Sequence, residues 1–319
     1  MVLPPTNGKL DQVVAVVDVG SNSIKMTVAR QRPGASLDDL ATASETVRLG
    51  TGIERSGRLA DDRVEAALAT LRRFATEAQA LGASRLLGVA TEAVRVTANG
   101  QEFLERVRRE TGWRVRTIDG DEEADLTFRG LAGSVDTLGG LVAADIGGAS
   151  TEVIVAHDGT VAAAHSLPIG SGRLTDRLIH HDPPTMTEIT ACREAVRVAL
   201  DGLTASGMAI PSGREIRLVV VGGTGEYLAR LIGDYPIDRT TVAAARVRLQ
   251  STPAAALATK LGIAEARARV LPAGVGAVQA IIDRVQPGGI EVARSGIRAG
   301  LLLQAFAETG EVARETRQA

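Results

Sequence analysis

D-I-G-G-A-S-T-E, Asp145 to Glu152, sits between two apolar runs, 141–144 and 153–156. The pattern predicts a strand, a tight glycine turn and a second strand, with a carboxylate at each end of the turn. Glycines let backbone N–H groups converge on an anion with no Cβ in the way. Carboxylates beside such a turn can hold a hard cation or orient a water. An ordinary hairpin has the same signature, since Gly-Gly often only marks a turn. A second copy argues for more: an apolar run at 13–17 enters D-V-G-S-N-S, Asp18 to Ser23, and another follows at 24–29. Two strand–Asp-x-Gly–strand units predict two phosphate loops that face each other.

Around these units the chain alternates strand and helix patterns. Residues 1–11 read as a flexible lead, and 31–39, with Pro33 and Gly34, as a turn before a third strand at 43–49. Asp61 or Asp62 is placed to cap a helix whose Val64, Leu68, Leu71, Phe74 and Ala78 keep helical spacing. A short buried strand at 85–90 runs into T-E-A-V-R, Thr91 to Arg95, at its C-terminal end. A helix over Phe103, Leu104 and Val107, a strand at 113–118 and a helix from Glu122 to Leu131 follow. The second half repeats the theme with strands at 141–145, 151–156 and 160–167 and a helix from Gly170. A strand at 218–221 then enters G-G-T-G, Gly222 to Gly225. Ala-rich helices fill 240–285, a last strand spans 289–294, and a last helix begins at Ile297 and ends in a polar, frayed tail. Three strands and then alternating helices and strands in each half spell an α/β architecture.

The bulk composition bounds the function classes. A length of 319 residues suits about two domains. The chain is 45% hydrophobic but only 2% aromatic, so its core must be built from Ala, Val, Leu and Ile. A net charge of −2 creates no global field favouring nucleic acid or a membrane surface, so any polyanion must meet local positive charge. The lone Cys192 excludes an internal disulfide and fits a reducing compartment. No signal-like segment and no membrane-length apolar run is evident, so the reading is a soluble, cytoplasmic protein.

Neither a Walker-type G-x-x-x-x-G-K-S/T nor a G-x-S-x-G elbow occurs. His157, His165, His180 and His181 lack metal-binding spacing. The carboxylates carry more. Asp18 and Asp145 each stand where a strand meets a glycine loop, so both should point into one cleft, where they could share one Mg²⁺, mostly through waters. Glu122 and Glu123 open a helix. One should only favour the helix dipole, and the other, aimed into the cleft, could act as a base on water, with Glu152 assisting from the opposite side. Arg48 and Arg95 follow strand-like runs and could grip phosphate oxygens in bidentate fashion. Ser21, Asn22 and Ser23 supply short donors in the first loop, and Ser150 and Thr151 in the second. Lys25 could point either way.

Taken together and in order, these segments resemble the exopolyphosphatase and guanosine pentaphosphate phosphohydrolase family of the actin-like ATPase superfamily. The matching segments run along nearly the whole chain. They are D-V-G-S-N-S from Asp18, V-R-L-G from Val47, A-T-E-A-V-R from Ala90, G-D-E-E-A from Gly120 and D-I-G-G-A-S-T-E from Asp145. L-P-I-G-S-G-R-L from Leu167, G-G-T-G from Gly222 and S-G-I-R-A-G-L-L from Ser295 complete the set. The length is similar to that of the two-domain members.

The resemblance implies two ribonuclease-H-like domains, 1–124 and 125–299, with the C-terminal helix at about 300–319 packing back on the first and the active site between them. It implies Glu123 as catalytic base, Glu152 as the second functional carboxylate and Asp145 as a metal-associated residue, which together with Asp18 would hold Mg²⁺. Ser21, Asn22, Ser23, Arg48 and Arg95 fall on phosphate-binding positions. So do Gly147, Gly148, Ala149, Ser150 and Thr151 of the second loop, and Gly223 and Thr224.

The expected reaction is Mg²⁺-dependent hydrolysis of the terminal phosphate of inorganic polyphosphate, or of the 5′-phosphate of guanosine pentaphosphate, by a homodimer that binds no nucleic acid and no membrane. Two alternatives stand beside it. One is a non-catalytic sensor of guanosine tetraphosphate or polyphosphate, and the other an ATPase or kinase with a nucleoside pocket around Gly222–Gly225. Ala149 replaces the usual third glycine and would be strained if that position requires φ > 0. Arg173, Arg177, Arg267 and Arg269 could form a basic track for a long polyanion.

Overall fold

Valine-rich runs that bury both faces need a sheet covered on both sides, and the chain builds two of them. A computed structural model describes residues 12–31 and 37–318. The lead at residues 1–11 and the Pro33-Gly34 turn lie outside the described residues, and so do the side chains of the polar tail beyond residue 308.

The first sheet holds β1 (Val13–Val19), β2 (Ser23–Gln31), β3 (Leu37–Thr46), β4 (Arg85–Ala90) and β5 (Arg114–Thr117) in the order β3-β2-β1-β4-β5. The second holds β6 (Gly140–Ile146), β7 (Thr151–His157), β8 (Thr160–Leu167), β9 (Ile216–Val221) and β10 (Gly289–Ala293). Read from its other edge, its order is the same: β8-β7-β6-β9-β10. In each sheet two hairpin connections give three antiparallel strands, and helical crossovers return the chain to add two parallel ones. The fold is two ribonuclease-H-like domains of mixed α/β architecture.

Helix Asp61–Ala80 makes the β1-side crossover and buries Val64, Leu68, Leu71 and Phe74 against the first sheet. Trp113 is fully buried there and donates its indole N–H to Leu71 O at 2.9 Å. The last helix, Ile297–Gln318, leaves the second sheet and covers the first, where Ile297, Leu301, Leu302 and Phe306 pack on Val14, Val16 and Ala29. It also lies tightly on helix Gly120–Ala132: a Cβ at Gly300 would come within 1.9 Å of Leu126 O, so only glycine permits this approach. These two crossing helices, with the strands they leave, form the floor of the space between the sheets.

Some local expectations are corrected. The third strand starts at Leu37, not at residue 43: Asp38 and Asp39 read as turn residues, yet they pair with Arg30 and Ala29 of β2 along an edge where polar side chains meet solvent. Thr91 to Arg95 does follow the C-terminal end of β4, and the unanticipated detail is that Glu92–Arg95 winds there into a single helical turn. Asp61 and Asp62 sit inside the first turn of their helix, and Ala60, at the cap, offers no side-chain acceptor. G-G-T-G is itself the first turn of helix Gly222–Ile232 rather than a preceding loop. Cys192 is buried, its thiol pushed up to about 12 by burial, as suits an inert core residue. No helix among the described residues is long and apolar enough to cross a membrane.

Candidate active site

The two glycine turns meet edge to edge. A Cβ on Gly148 would lie 2.7 Å from Asn22 Cβ and 3.0 Å from its backbone N, so the second loop touches the first through a bare glycine. Asn22 is buried, and its Nδ2 has no hydrogen-bond partner among the described residues. Ala149 is not among the residues with positive φ, so the replaced glycine brings no left-handed strain, and the expected penalty is absent. Its carbonyl accepts the Gly170 N–H at 2.8 Å.

Register places the carboxylates. Asp18 stands directly opposite Lys25 in the β1–β2 hairpin, and Asp145 directly opposite Glu152 in the corresponding β6–β7 hairpin. Opposed residues of an antiparallel pair share a face, so Lys25 joins Asp18 and Asp145 in the cleft. The two hairpins differ in charge at one matching position, lysine in the first and glutamate in the second. Strand alternation alone left Lys25 open; its position opposite Asp18 was the signal that could have placed it.

Helix Gly120–Ala132 delivers the fourth carboxylate. Asp119 caps it by accepting the Glu122 N–H at 2.9 Å. Glu122 turns outward and pairs with Arg116, while Glu123 turns into the cleft with its Oε2 buried and unpartnered. Burial raises the Glu123 pKa well above the ordinary range, and Glu152, Asp18 and Asp145 raise it further while Arg95 opposes them. Glu152 is also raised, chiefly by burial and then by Asp145, although hydroxyls of Ser166 (2.7 Å to Oε1) and Ser150 stabilise its charged form. Asp18 and Asp145 are raised by burial, with Lys25 opposing in both. Asp18, Lys25, Glu123 and Asp145 keep some accessible surface, yet lost hydration is the largest influence on the protonation of each.

These raised values set a pH dependence. Each carboxylate holds its proton more tightly folded than unfolded. The stability it contributes is therefore fully present below the ordinary carboxylate value of 4.5 or 3.8 and is lost as pH rises through the folded value. The chain in chelator is expected to melt at a lower temperature at pH 8 than at pH 5. Scanning calorimetry with and without millimolar Mg²⁺ checks this. The cation should recover part of the loss at pH 8 and little at pH 5, where protons already neutralise the cluster.

The guanidinium groups are divided in their roles. Arg48 has φ 57, a strained conformation for a non-glycine residue, fixed because its N–H donates to Asn22 O at 2.8 Å. Its Nη2 is held by Asp176 Oδ1 at 3.0 Å. Arg95 donates to Ile118 O at 2.5 Å beside a cavity of about 290 Å³ that Ser166 also lines. The expected basic track does not form. Arg177 and Arg269 are exposed, whereas Arg173 is tied to Glu54 and Glu92 and Arg267 is buried with its guanidinium 5.3 Å from the Tyr227 ring centre. Burial draws these two inward because carboxylates and an aromatic face offer them better partners than solvent does.

One expected donor is spent elsewhere: Thr151 Oγ1 donates to Ile169 O at 2.5 Å, and Thr224 Oγ1 likewise donates to Ile146 O at 3.1 Å, so these hydroxyl protons serve the fold. Ser21 and Ser23 are buried beside the first turn, and Gly147 lies half-buried in the second. Gly223 packs against the Arg267 guanidinium. The sequence reading also gave no role to Asp176, Ser166 or Arg298, whose Nη1 donates to Thr27 Oγ1 at 2.7 Å.

Asp18, Ser23, Lys25, Asp145, Gly223 and Arg298 are among the residues lining a cleft of about 960 Å³. No three His, Cys, Asp or Glu side chains among the described residues stand close enough to cage a metal by themselves. The donor set is nevertheless all hard oxygen on the Asp145–Glu152 side, which suits a magnesium ion that keeps several waters and takes one or two carboxylates. The Lys25 ammonium opposite Asp18 makes that side the poorer of the two for a cation.

The profile of the Ppx/GppA phosphatase family matches residues 27–308. Exopolyphosphatase 1 of Mycobacterium tuberculosis (strain ATCC 25618 / H37Rv) is 29% identical over 302 residues, covering 91% of this chain and 87% of that protein. The guanosine-5'-triphosphate,3'-diphosphate pyrophosphatase of Vibrio cholerae is 28% identical over 300 residues, covering 91% of this chain but 58% of that protein. Among solved structures, the Aquifex aeolicus Ppx/GppA family member superposes with a TM-score of 0.74 at 27% identity, covering 93% of this chain and 98% of that one. An exopolyphosphatase from Cytophaga hutchinsonii, 24% identical, shares the fold with a TM-score of 0.84 over 93% of this chain and 98% of that one.

Proposed function

Because the chain belongs to the Ppx/GppA phosphatase family, we propose that its cleft hydrolyses a terminal phosphoanhydride bond, of inorganic polyphosphate or of the 5′-triphosphate of guanosine pentaphosphate. The observation that carries this is Glu123: a carboxylate with a buried, unpartnered oxygen and a raised pKa, set beside two touching glycine turns. A base whose pKa approaches the working pH accepts a proton from water more readily than an ordinary carboxylate does.

In this reading the terminal phosphoryl group lies between the turn after Asp18 and the turn after Asp145. The Asn22 amide and the N–H groups of residues 148–150 face its oxygens, and Arg48 and Arg95 close on it as charge develops. Glu123 takes the proton of the attacking water. Glu152, held by Ser166 and Ser150, orients that water from the opposite wall. Gly223 and Thr224 contribute first-turn N–H groups at a helix N-terminus. Asp145, with Asp18 behind it, would hold Mg²⁺ largely through water. Such an ion, when bound, neutralises charge on the transferred phosphate and lowers the pKa of nearby carboxylates. The lone buried thiol agrees with a reducing, cytoplasmic setting.

The test is phosphate release from polyphosphate, guanosine pentaphosphate and ATP with Mg²⁺. Turnover of either of the first two supports the reading. Turnover of ATP alone would favour the ATPase alternative, and tight binding of all three without turnover would favour a sensor. Asp176 supplies a finer check. It is an internal anion that competes with phosphate for Arg48, across an ion pair half open to solvent. Asp176→Asn is expected to lower KM by roughly two- to fivefold with kcat little changed, the modest effect of an exposed pair; an increase in KM would place Asp176 among the groups that support binding.

A further inference from the structure

Arg173 is a heavily engaged guanidinium at the domain junction. Its side chain is 13% exposed. Nε lies 2.8 Å from Glu54 Oε1. Nη1 lies 2.8 Å from Glu92 Oε1 and donates to Ala149 O at 3.1 Å and Pro168 O at 2.9 Å. Its backbone N–H donates to Gly148 O at 2.9 Å. Two carboxylates, the buried Glu92 and the exposed Glu54, already neutralise it, so its charge is not available for substrate.

The partners are notable for what they carry. Glu54 belongs to the short helix Ile53–Ser56, which follows the turn that fixes Arg48. Glu92 opens the helical turn Glu92–Arg95 that presents Arg95. Ala149 is the centre of the second glycine turn. One planar, forked group therefore touches the three segments that bear the phosphate ligands, two from the first domain and one from the second. A guanidinium suits this task because its donors leave in fixed directions, whereas an ammonium offers a single point of charge. The contact is also buried enough that water replaces it poorly, since unpaired Glu92, with one oxygen already unpartnered, would be left inside.

We propose that Arg173 is a positioning residue for the hydrolysis: it sets the spacing of Arg48, Arg95 and the second glycine turn by clasping all three across the cleft. The proposal rests on the hydrolase reading for its kinetic consequence, and its geometric half stands without it. Misplacing catalytic groups by about 1 Å can cost on the order of a hundredfold in rate. Arg173→Gln is expected to lower kcat roughly ten- to a hundredfold with KM changed much less, and Arg173→Lys to recover only part, because the fork is lost. Glu92→Gln should add little further loss in the Arg173→Gln background, since both act through one contact.

Geometry is read separately, by pulsed electron–electron resonance between spin labels at Glu77→Cys and Val198→Cys, exposed sites on helices of the two domains. The clasped chain should give one narrow distance distribution, and Arg173→Gln a broad one, at temperatures where both are folded. If the wild-type chain turns over no substrate, the hydrolase reading fails while the distance measurement still decides the clasp. An unchanged distribution, or full kcat in a folded Arg173→Gln variant of an active enzyme, overturns the proposal.

Discussion

Glu123→Gln is expected to lower kcat by about 10²- to 10⁴-fold, the range associated with losing a positioned general base, while KM stays within a few-fold. The amide keeps the size of the carboxylate and removes only its capacity to take a proton. The same change should leave the protein at least as stable at pH 8. Glu123 is raised first by burial and then by Glu152, Asp18 and Asp145, so a neutral side chain removes a desolvated charge from a crowded cluster of like charges. Higher thermal stability with collapsed turnover is the signature of a residue kept for chemistry against the interest of folding. Turnover within tenfold of wild type would remove Glu123 from the base position, and the proton would then have to pass to Glu152.

Gly148→Ala is expected to be nearly as damaging, for a steric reason. The added methyl must fit 2.7 Å from Asn22 Cβ and 3.0 Å from Asn22 N, which forces the two turns apart. A loss of about a hundredfold in kcat/KM is expected from the displaced donors, together with about 1–3 kcal/mol of overpacking strain. Gly202→Ala serves as the control. Nothing lies within 4 Å of a Cβ there, inside helix Met186–Ala205. That substitution should stabilise the chain by about 0.5–1 kcal/mol through helix propensity. Wild-type kinetics in Gly148→Ala would mean that the turns do not need to touch for the reaction.

Strands β1, β2, β6 and β7, the two Asp-bearing turns and the helix that carries Glu123 were legible from residue spacing. The β3 boundary and the helical turn at Glu92 were not: an edge strand and a four-residue helix have no buried period to announce them. Ala149 illustrates the opposite error. A missing glycine reads as strain only if the backbone needs a left-handed residue, and that turn does not. The left-handed residue beside the turns is instead Arg48, where no residue type hinted at it.

The charged groups divide along the same line. Arg267 and Arg173 read as members of a basic track, since nothing local distinguishes an open guanidinium from one folded against an aromatic ring or clasped by two carboxylates. The resemblance singled out Glu123 from its neighbour Glu122, and the structure gives the physical counterpart: one faces Arg116 and the other the cleft.

By itself the sequence determined the pair of α/β sheets and the repeated Asp-x-Gly turns with their aspartates, because strands and helices are written in periods of two or three to four residues and the turns in local glycine motifs, none of which needs a partner to be read. Only the tertiary structure decided which charges face each other. Arg48 meets Asp176 across 128 residues of chain, and Arg173 meets Glu92 across 81. Such pairings follow from how two separately formed sheets dock, and that is settled by shape and burial at their junction rather than by any local pattern.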